Sequence, residues 1–185
     1  HGGFVSANNG FYLISRTDGF DSLTNNYHGG SDILLVHTDS LGNILWKKCY
    51  GGSEMDYGRT LISSMDGHIF LIGRTSSDDG DVQSRQWDGS LAWVVKIDHQ
   101  GDIIWEKTFG VEKGTGFTIR SFLALPDGGI AVSSVIQGKS GDVSQYFGGI
   151  DVWTVRLGNQ GEMLWEKTYG SIGQWDNLLS MLYTD

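Results

Sequence analysis

Short apolar, β-branched runs recur along this chain, "FLIGRT", "AWVVKID" and "DIIWEKTFG" among them, and polar turns containing glycine separate them. Runs of this length between turn signals predict β-strands, and no stretch carries a helical period over a useful length. The chain is expected to be all-β.

The runs also repeat. "GDIIWEKTFG" at 101–110 has a close twin in "GEMLWEKTYG" at 161–170 and a looser one in "GNILWKKCYG" at 42–51, so that Trp46, Trp105 and Trp165 stand 59 and 60 residues apart. A period of this size marks a repeat architecture. Each unit reads as four strands, A to D. In the second unit A is expected over Gly58 to Met65, B over Ile69 to Thr75, C over Leu91 to Asp98 and D over Ile103 to Phe109. The A–B connections ("MDGH", "PDGG") and the C–D connections ("DSLGN", "DHQGD", "GNQGE") are short enough for hairpins between antiparallel neighbours. Four-stranded antiparallel units in tandem predict β-propeller blades.

The expected blades run over about 2–50, 57–109 and 117–169, with strand A of a further blade at about 176–184, all within one propeller segment of 1–185. Three blades and one strand do not close a ring, because propellers typically need about four to eight blades. An open arc leaves unpaired edges and apolar faces. The expectation is therefore a longer polypeptide, with self-association into a larger ring as the less favoured option. In strand D the Trp is expected between neighbouring blades, where a large flat side chain fills the gap between radiating sheets. Trp93 and Trp153 of strand C are counted with Trp46, Trp105 and Trp165 as structural.

Composition narrows the function classes. A hydrophobic content of 39% places the chain among folded proteins, and 28 glycines with one proline indicate many tight turns. A net charge of −9 argues against nucleic acid, whose phosphates need clustered Lys and Arg. The single cysteine, Cys49, cannot form an internal disulfide, and Thr108 and Thr168 occupy its place in the other repeats, which makes it a small strand residue. No apolar run approaches the length of a membrane span. The first residue is His1 rather than Met, so localisation signals are missing evidence.

The pattern carried by "DVWTVRLGNQGEMLWEKTYG", "AWVVKIDHQGDIIWEKTFG" and, more loosely, "DILLVHTDSLGNILWKKCYGG" resembles the propeller-like repeats of about sixty residues in secreted and cell-surface proteins of Bacteroidetes and related bacteria. The resemblance covers nearly the whole chain. It implies an extracellular or outer-membrane-associated location, often beside an outer-membrane anchor or a C-terminal sorting domain. "KIDHQGDIIWEKTFG" also looks like the tryptophan-docking motif of quinoproteins and of the propeller lipoprotein of the outer-membrane protein assembly machinery. In those families the motif is structural, so sharing it implies no quinone cofactor.

In an ordinary propeller the long B–C loops, "DGFDSLTNNYHGGS", "SSDDGDVQSRQWDGS" and "QGKSGDVSQYFGG", share one face with the D–A connections, and long loops on a rigid scaffold are where binding usually lives. Two features recur there. One is an acidic turn, Gly80-Asp81 and Gly141-Asp142, with Asp78 and Asp79 nearby and Asp21 in the first unit. Asp78, Asp79 and Asp81 are candidate calcium ligands, calcium requiring several converging carboxylates; the alternative is an Asx-type turn in which Asp caps its own backbone. The other is an aromatic residue before the strand C glycine: Tyr27, Trp87, and Tyr146 with Phe147. These four either present faces to a sugar or a protein partner, or fold beneath their own loops.

Signals for catalysis are thin. The five histidines share no repeat position, and His37, standing where Lys96 and Arg156 stand elsewhere, is expected to be a solvated strand residue. No metal-ligand spacing, nucleophile elbow or phosphate-cradling loop is present. Glu106 and Glu166 are expected to pair with the neighbouring Lys row. The leading expectation is a non-catalytic propeller scaffold of an exported bacterial surface protein, binding a protein partner, the remainder of a longer polypeptide, or a glycan. The alternative is an enzyme fragment, quinoprotein-like or glycan-cleaving, the latter recognisable by paired carboxylates.

Overall fold

A computed structural model describes residues 4–5, 10–19, 26–112 and 116–184. Asp21 and His1 lie outside them. Among the described residues there are strands and turns and no helix. The strands are β1 (Phe4–Val5), β2 (Phe11–Thr17), β3 (Asp32–Thr38), β4 (Ile44–Tyr50), β5 (Asp56–Ser63), β6 (Ile69–Thr75), β7 (Leu91–Ile97), β8 (Ile103–Phe109), β9 (Phe117–Ala124), β10 (Ile130–Ile136), β11 (Asp151–Leu157) and β12 (Met163–Tyr169). They form three four-stranded sheets in sequence order, β1–β4, β5–β8 and β9–β12. Each sheet is one sequence repeat.

The C–D hairpins follow from a local device. Asp39 accepts backbone N–H bonds from Leu41 and Asn43 through Oδ1, both at 2.9 Å, and Asp98 does the same for Gln100 and Asp102 at 2.9 and 2.8 Å. Gly101 completes its turn at φ +78°, a region where a Cβ is disfavoured. Strand D then carries a bulge. The β3–β4 register shifts between His37 and Thr38, so that Leu45 is skipped, and the β11–β12 register shifts between Arg156 and Leu157, where Leu164 is skipped. The skipped residue stands immediately before Trp46 or Trp165.

Strand A begins at Asp56, earlier than Gly58, and its bulge falls on Arg59; β9 bulges at the repeat-equivalent Arg120. The segment 176–184, expected as a strand, forms no ladder. A strand A is stabilised by a strand B beside it, and the described residues contain none for this segment.

The chain divides into two compact units. The first comprises His1–Ser63, His68–Arg85 and Ala92–Thr108; the second comprises Ser64–Gly67, Gln86–Leu91 and Phe109–Asp185. In the first, Tyr12, Ile33, Leu35 and Tyr50 of the β1–β4 sheet bury against Leu61, Ile69, Leu71, Trp93, Val95 and Ile97 of the next sheet, with Ile14 and Trp46 packed on the cluster. Burial of each such side chain is worth about 1.5–3 kcal/mol relative to exposure. His37 belongs to this packing and is not solvated. It is buried, stacked on Tyr12 at 4.1 Å between ring centres, and edge-on to Trp46 at 5.4 Å. Its repeat partner Lys96 is also buried, with its ammonium over the Phe70 ring. In the second unit Phe109 and Phe117 each set an edge against the buried Trp153 at 6.0 Å. Cys49 is buried, in keeping with a small strand residue.

Candidate functional site

The polar residues of the long loops converge on the D–A connections. In the first unit the segment after β4 runs alongside the start of β3: Ser31 N–H donates to Glu54 O at 3.0 Å, Asp56 N–H donates to Ser31 O at 2.7 Å, and Ser31 pairs with Met55 in parallel. Gly30 permits this approach, since it sits at φ +51° and a Cβ there would overlap the Glu54 carbonyl. Asp81 then clamps the end of β4. Its N–H donates to Gly51 O at 2.9 Å and its Oδ2 accepts from Gly51 N at 3.2 Å. Asp79 Oδ1 accepts from Ser53 N at 2.7 Å, which holds its carboxyl below the usual range.

The second unit repeats the device. Asp142 exchanges the same two bonds with Gly110, both at 2.9 Å, Ile150 pairs with Trp175 in parallel, and Asp176 N–H donates to Ile150 O at 2.7 Å. The Gly-Asp turn therefore caps the end of the preceding repeat's strand D through Asp81 and Asp142, where an Asx-type turn capping its own backbone is the expectation from sequence. Asp78 is exposed. Among the described residues no group of three or more His, Cys, Asp or Glu side chains is arranged to hold a metal ion.

Buried carboxylates line both junctions. Asp32 accepts from His28 N and faces His28 Nδ1, both at 2.9 Å, while Asp56 accepts from Gly52 N and Ser77 Oγ, both at 2.8 Å. Oδ1 of Asp32, of Asp56 and of Asp151 is buried without a hydrogen-bond partner. Burial pushes the Asp32 carboxyl above the ordinary range against the pull of the His28 bonds, and burial does the same to Asp81. The pairs Asp32 with Asp56 and Asp151 with Asp176 escaped the sequence reading; their signal there is an Asp before the apolar run of strand C and another in the connection after strand D.

The loop aromatics are only half exposed. Tyr27 Oη donates to Gly30 O at 3.0 Å and Tyr146 Oη to Gly149 O at 2.8 Å, so both rings close their own loops. Phe147 contributes its N–H to Asp151 Oδ2 at 2.6 Å. Trp87 lines a cleft of about 420 Å³ with Gln86, Asp88 and Glu112.

Glu106 and Glu166 do not serve the Lys row. Glu106 Oε2 accepts from the indole N–H of the buried Trp93 at 2.8 Å and from Ser84 Oγ at 3.0 Å, and Glu166 takes the Trp153 indole at 2.5 Å together with the Ser144 hydroxyl. A carboxylate thus ties strand C to the long loop and satisfies an indole that would otherwise be buried unpaired. The first repeat has Leu34 and Lys47 at these places, so Trp and Glu come and go together within the chain.

An apolar cleft lies elsewhere. Trp46 Nε1 donates to His99 O at 3.1 Å, Tyr50 Oη donates to Gly101 O at 2.7 Å, and Lys48 pairs with Asp102 at 2.5 Å. The repeat-equivalent face of β10–β12, with Ala131, Val152, Thr154, Trp165 and Tyr169, borders instead a cleft of about 480 Å³ that Leu178, Met181 and Leu182 flank. Trp165 and Tyr169 are 40% and 54% exposed, whereas Tyr50 is 2% exposed. Comparison with protein-family models and with curated proteins finds no match to this chain.

Proposed function

We propose that the chain is a non-catalytic β-propeller segment of an exported bacterial surface protein, and that it serves as a scaffold whose β10–β12 face binds a protein partner. The observation that carries this reading is the open apolar cleft of Trp165 and Tyr169, built from the positions that are closed by a neighbouring sheet in the first repeat. An exposed apolar patch rimmed by polar groups marks an interaction surface. The sixty-residue period supports the propeller. The export reading rests on the likeness to Bacteroidetes surface repeats, and protease accessibility on intact cells tests it.

A photo-reactive phenylalanine analogue at position 169, with a control at exposed Leu41, tests the binding face in the native host. The expected result is an adduct at 169, absent at 41, whose attached peptide is identified by mass spectrometry. No polypeptide adduct at 169 overturns the reading. A second reading, glycan binding, is favoured by the polar cleft at Trp87, where one aromatic face stands beside Gln86, Asp88 and Glu112. Titration calorimetry against soluble glycans, repeated with W87A, decides it; heats unchanged in W87A remove this reading.

A further inference from the structure

We propose that the buried carboxylates of Asp32 and Asp56 together hold one hard, oxygen-ligated cation of calcium's class. Asp32 heads β3 and Asp56 heads β5, and both are fully buried. Asp32 Oδ1 and Asp56 Oδ2 lie 3.0 and 2.6 Å from one point, the position a Cβ on Gly51 would take, so the two carboxylates converge beside that glycine. Oδ1 of each has no hydrogen-bond partner. Two carboxylates enclosed this closely repel, and a buried charge is costly unless a counter-charge meets it. His28 Nδ1 faces Oδ2 of Asp32 at 2.9 Å, whereas Asp56 accepts from the Gly52 N–H and the Ser77 hydroxyl, both neutral donors. Asp79 and Asp81 are engaged elsewhere, with the N–H groups of Ser53 and Gly51.

The next repeat shows that the fold does not require charge at these places. Leu91 heads β7, Phe117 heads β9 and Ile136 ends β10, all buried, where Asp32, Asp56 and Thr75 stand one repeat earlier. Register fixes the match, since Asp56 pairs with Thr75 and Phe117 with Ile136. Ser77 gives way to Gly138 in the same exchange. Asp, Asp and Thr are each smaller than Leu, Phe and Ile, so the polar set leaves room that the apolar set fills.

One repeat further the pair returns as Asp151 and Asp176. Asp151 Oδ1, again without a partner, and Asp176 Oδ2 flank Gly170 as their counterparts flank Gly51. Phe147 N–H and Ser171 N–H hold Oδ2 of the two residues as His28 N–H and Gly52 N–H hold those of Asp32 and Asp56. A ligand shared by both carboxylates accounts for their appearing and vanishing together. Oxygen donors suit a hard cation rather than a soft metal, and one divalent ion matches two negative charges.

Titration calorimetry of the chelator-treated chain with calcium chloride tests the site, with sodium chloride of equal ionic strength as the control for screening. Calcium is expected to bind and to raise the urea midpoint. Asp32→Asn keeps the size, removes one charge and is expected to weaken one binding event at least tenfold. The double variant D32L/D56F copies the pair at Leu91 and Phe117; it is expected to fold and to bind one calcium fewer per chain, leaving the Asp151 pair intact. Circular dichroism confirms that each variant is folded before titration. No binding beyond the sodium control at about 10 mM, tenfold above the weakest calcium modules, overturns the proposal. So does an Asp32→Asn chain with an unchanged titration curve, or a folded D32L/D56F chain that binds as many ions as the original. Stability that rises as pH falls, equally with and without calcium, places a shared proton between the two carboxylates and overturns the cation.

Discussion

The β2–β4 face in the first unit and the β10–β12 face in the second are two copies of one design in different states. The first is closed: Tyr50 is buried, its hydroxyl held by Gly101 O, and Trp46 is held by His99 O. The second keeps the same Trp, Tyr and Lys at the same registers and leaves them open. The difference teaches that exposure at Trp165 and Tyr169 is not the mark of a weaker sheet, since β9–β12 has full ladders across its own strands.

The largest effect comes from blocking the close approach that joins the strand C head to the next segment. Gly30→Ala drives a methyl into the Glu54 carbonyl and demands φ +51° of a non-glycine residue, so a loss of about 3 kcal/mol is expected in urea unfolding. Gly149→Ala meets the Gln174 carbonyl in the same way, at φ +79°. There the segment after residue 174 has no ladder to lose, so about 1 kcal/mol is expected. Equal losses at the two glycines would remove the distinction between a closed and an open junction.

A pair of variants next asks whether sheet β9–β12 is as well built as sheet β5–β8. Glu106→Ala and Glu166→Ala each strand a buried indole N–H, on Trp93 and Trp153, and each is expected to cost about 2 kcal/mol. Limited proteolysis should also find the loops carrying Ser84 and Ser144 cut faster. If only Glu106→Ala is costly, the second sheet is loose throughout and the open face needs no missing partner.

The hydroxyls give a smaller contrast. Tyr50→Phe removes the bond to Gly101 O from a buried site and is expected to cost about 1 kcal/mol, while Tyr169→Phe in the monomer should stay within about 0.5 kcal/mol. Chemical denaturation at low protein concentration measures both.

Much of this was legible in advance, for a physical reason. Strands B and D begin and end at glycine-bearing turns whose geometry is local, so Ile69–Thr75 and Ile103–Phe109 are found where the sequence places them. Asp56 hid the start of strand A because an Asp beside glycines reads as loop, whereas its buried carboxylate accepts from Gly52 and Ser77 across the chain. Glu106 was assigned to lysines because cross-strand pairing is the nearest partner in sequence terms. The indole of Trp93 is the partner instead, and the sequence signal for it is the joint absence of Trp and Glu in the first repeat. The strand expected at 176–184 depends on a neighbour, which no local pattern supplies.

His37 sets the finest test, because the pH dependence of the closed junction has a worked sign. Burial against Tyr12 and Trp46, with His99 facing it as a second potential cation, lowers the imidazole below its ordinary 6.5. The unfolded chain therefore takes up this proton first as pH falls, and stability declines from about pH 6.5 downward, by at most about 1.4 kcal/mol per pH unit for one proton. Asp32 and Asp81 act in the opposite sense: their carboxyls lie above the ordinary 3.8, so the folded state binds those protons first and gains stability as pH falls through their raised values toward 3.8. His37→Phe keeps the stack on Tyr12 and should flatten the decline below pH 6.5 while leaving the gain at lower pH in place. Asp32→Asn should reduce that gain and leave the His37 slope untouched. Unfolding curves in which His37→Phe leaves the slope between pH 6.5 and 5 unchanged would place the titrating group outside this junction.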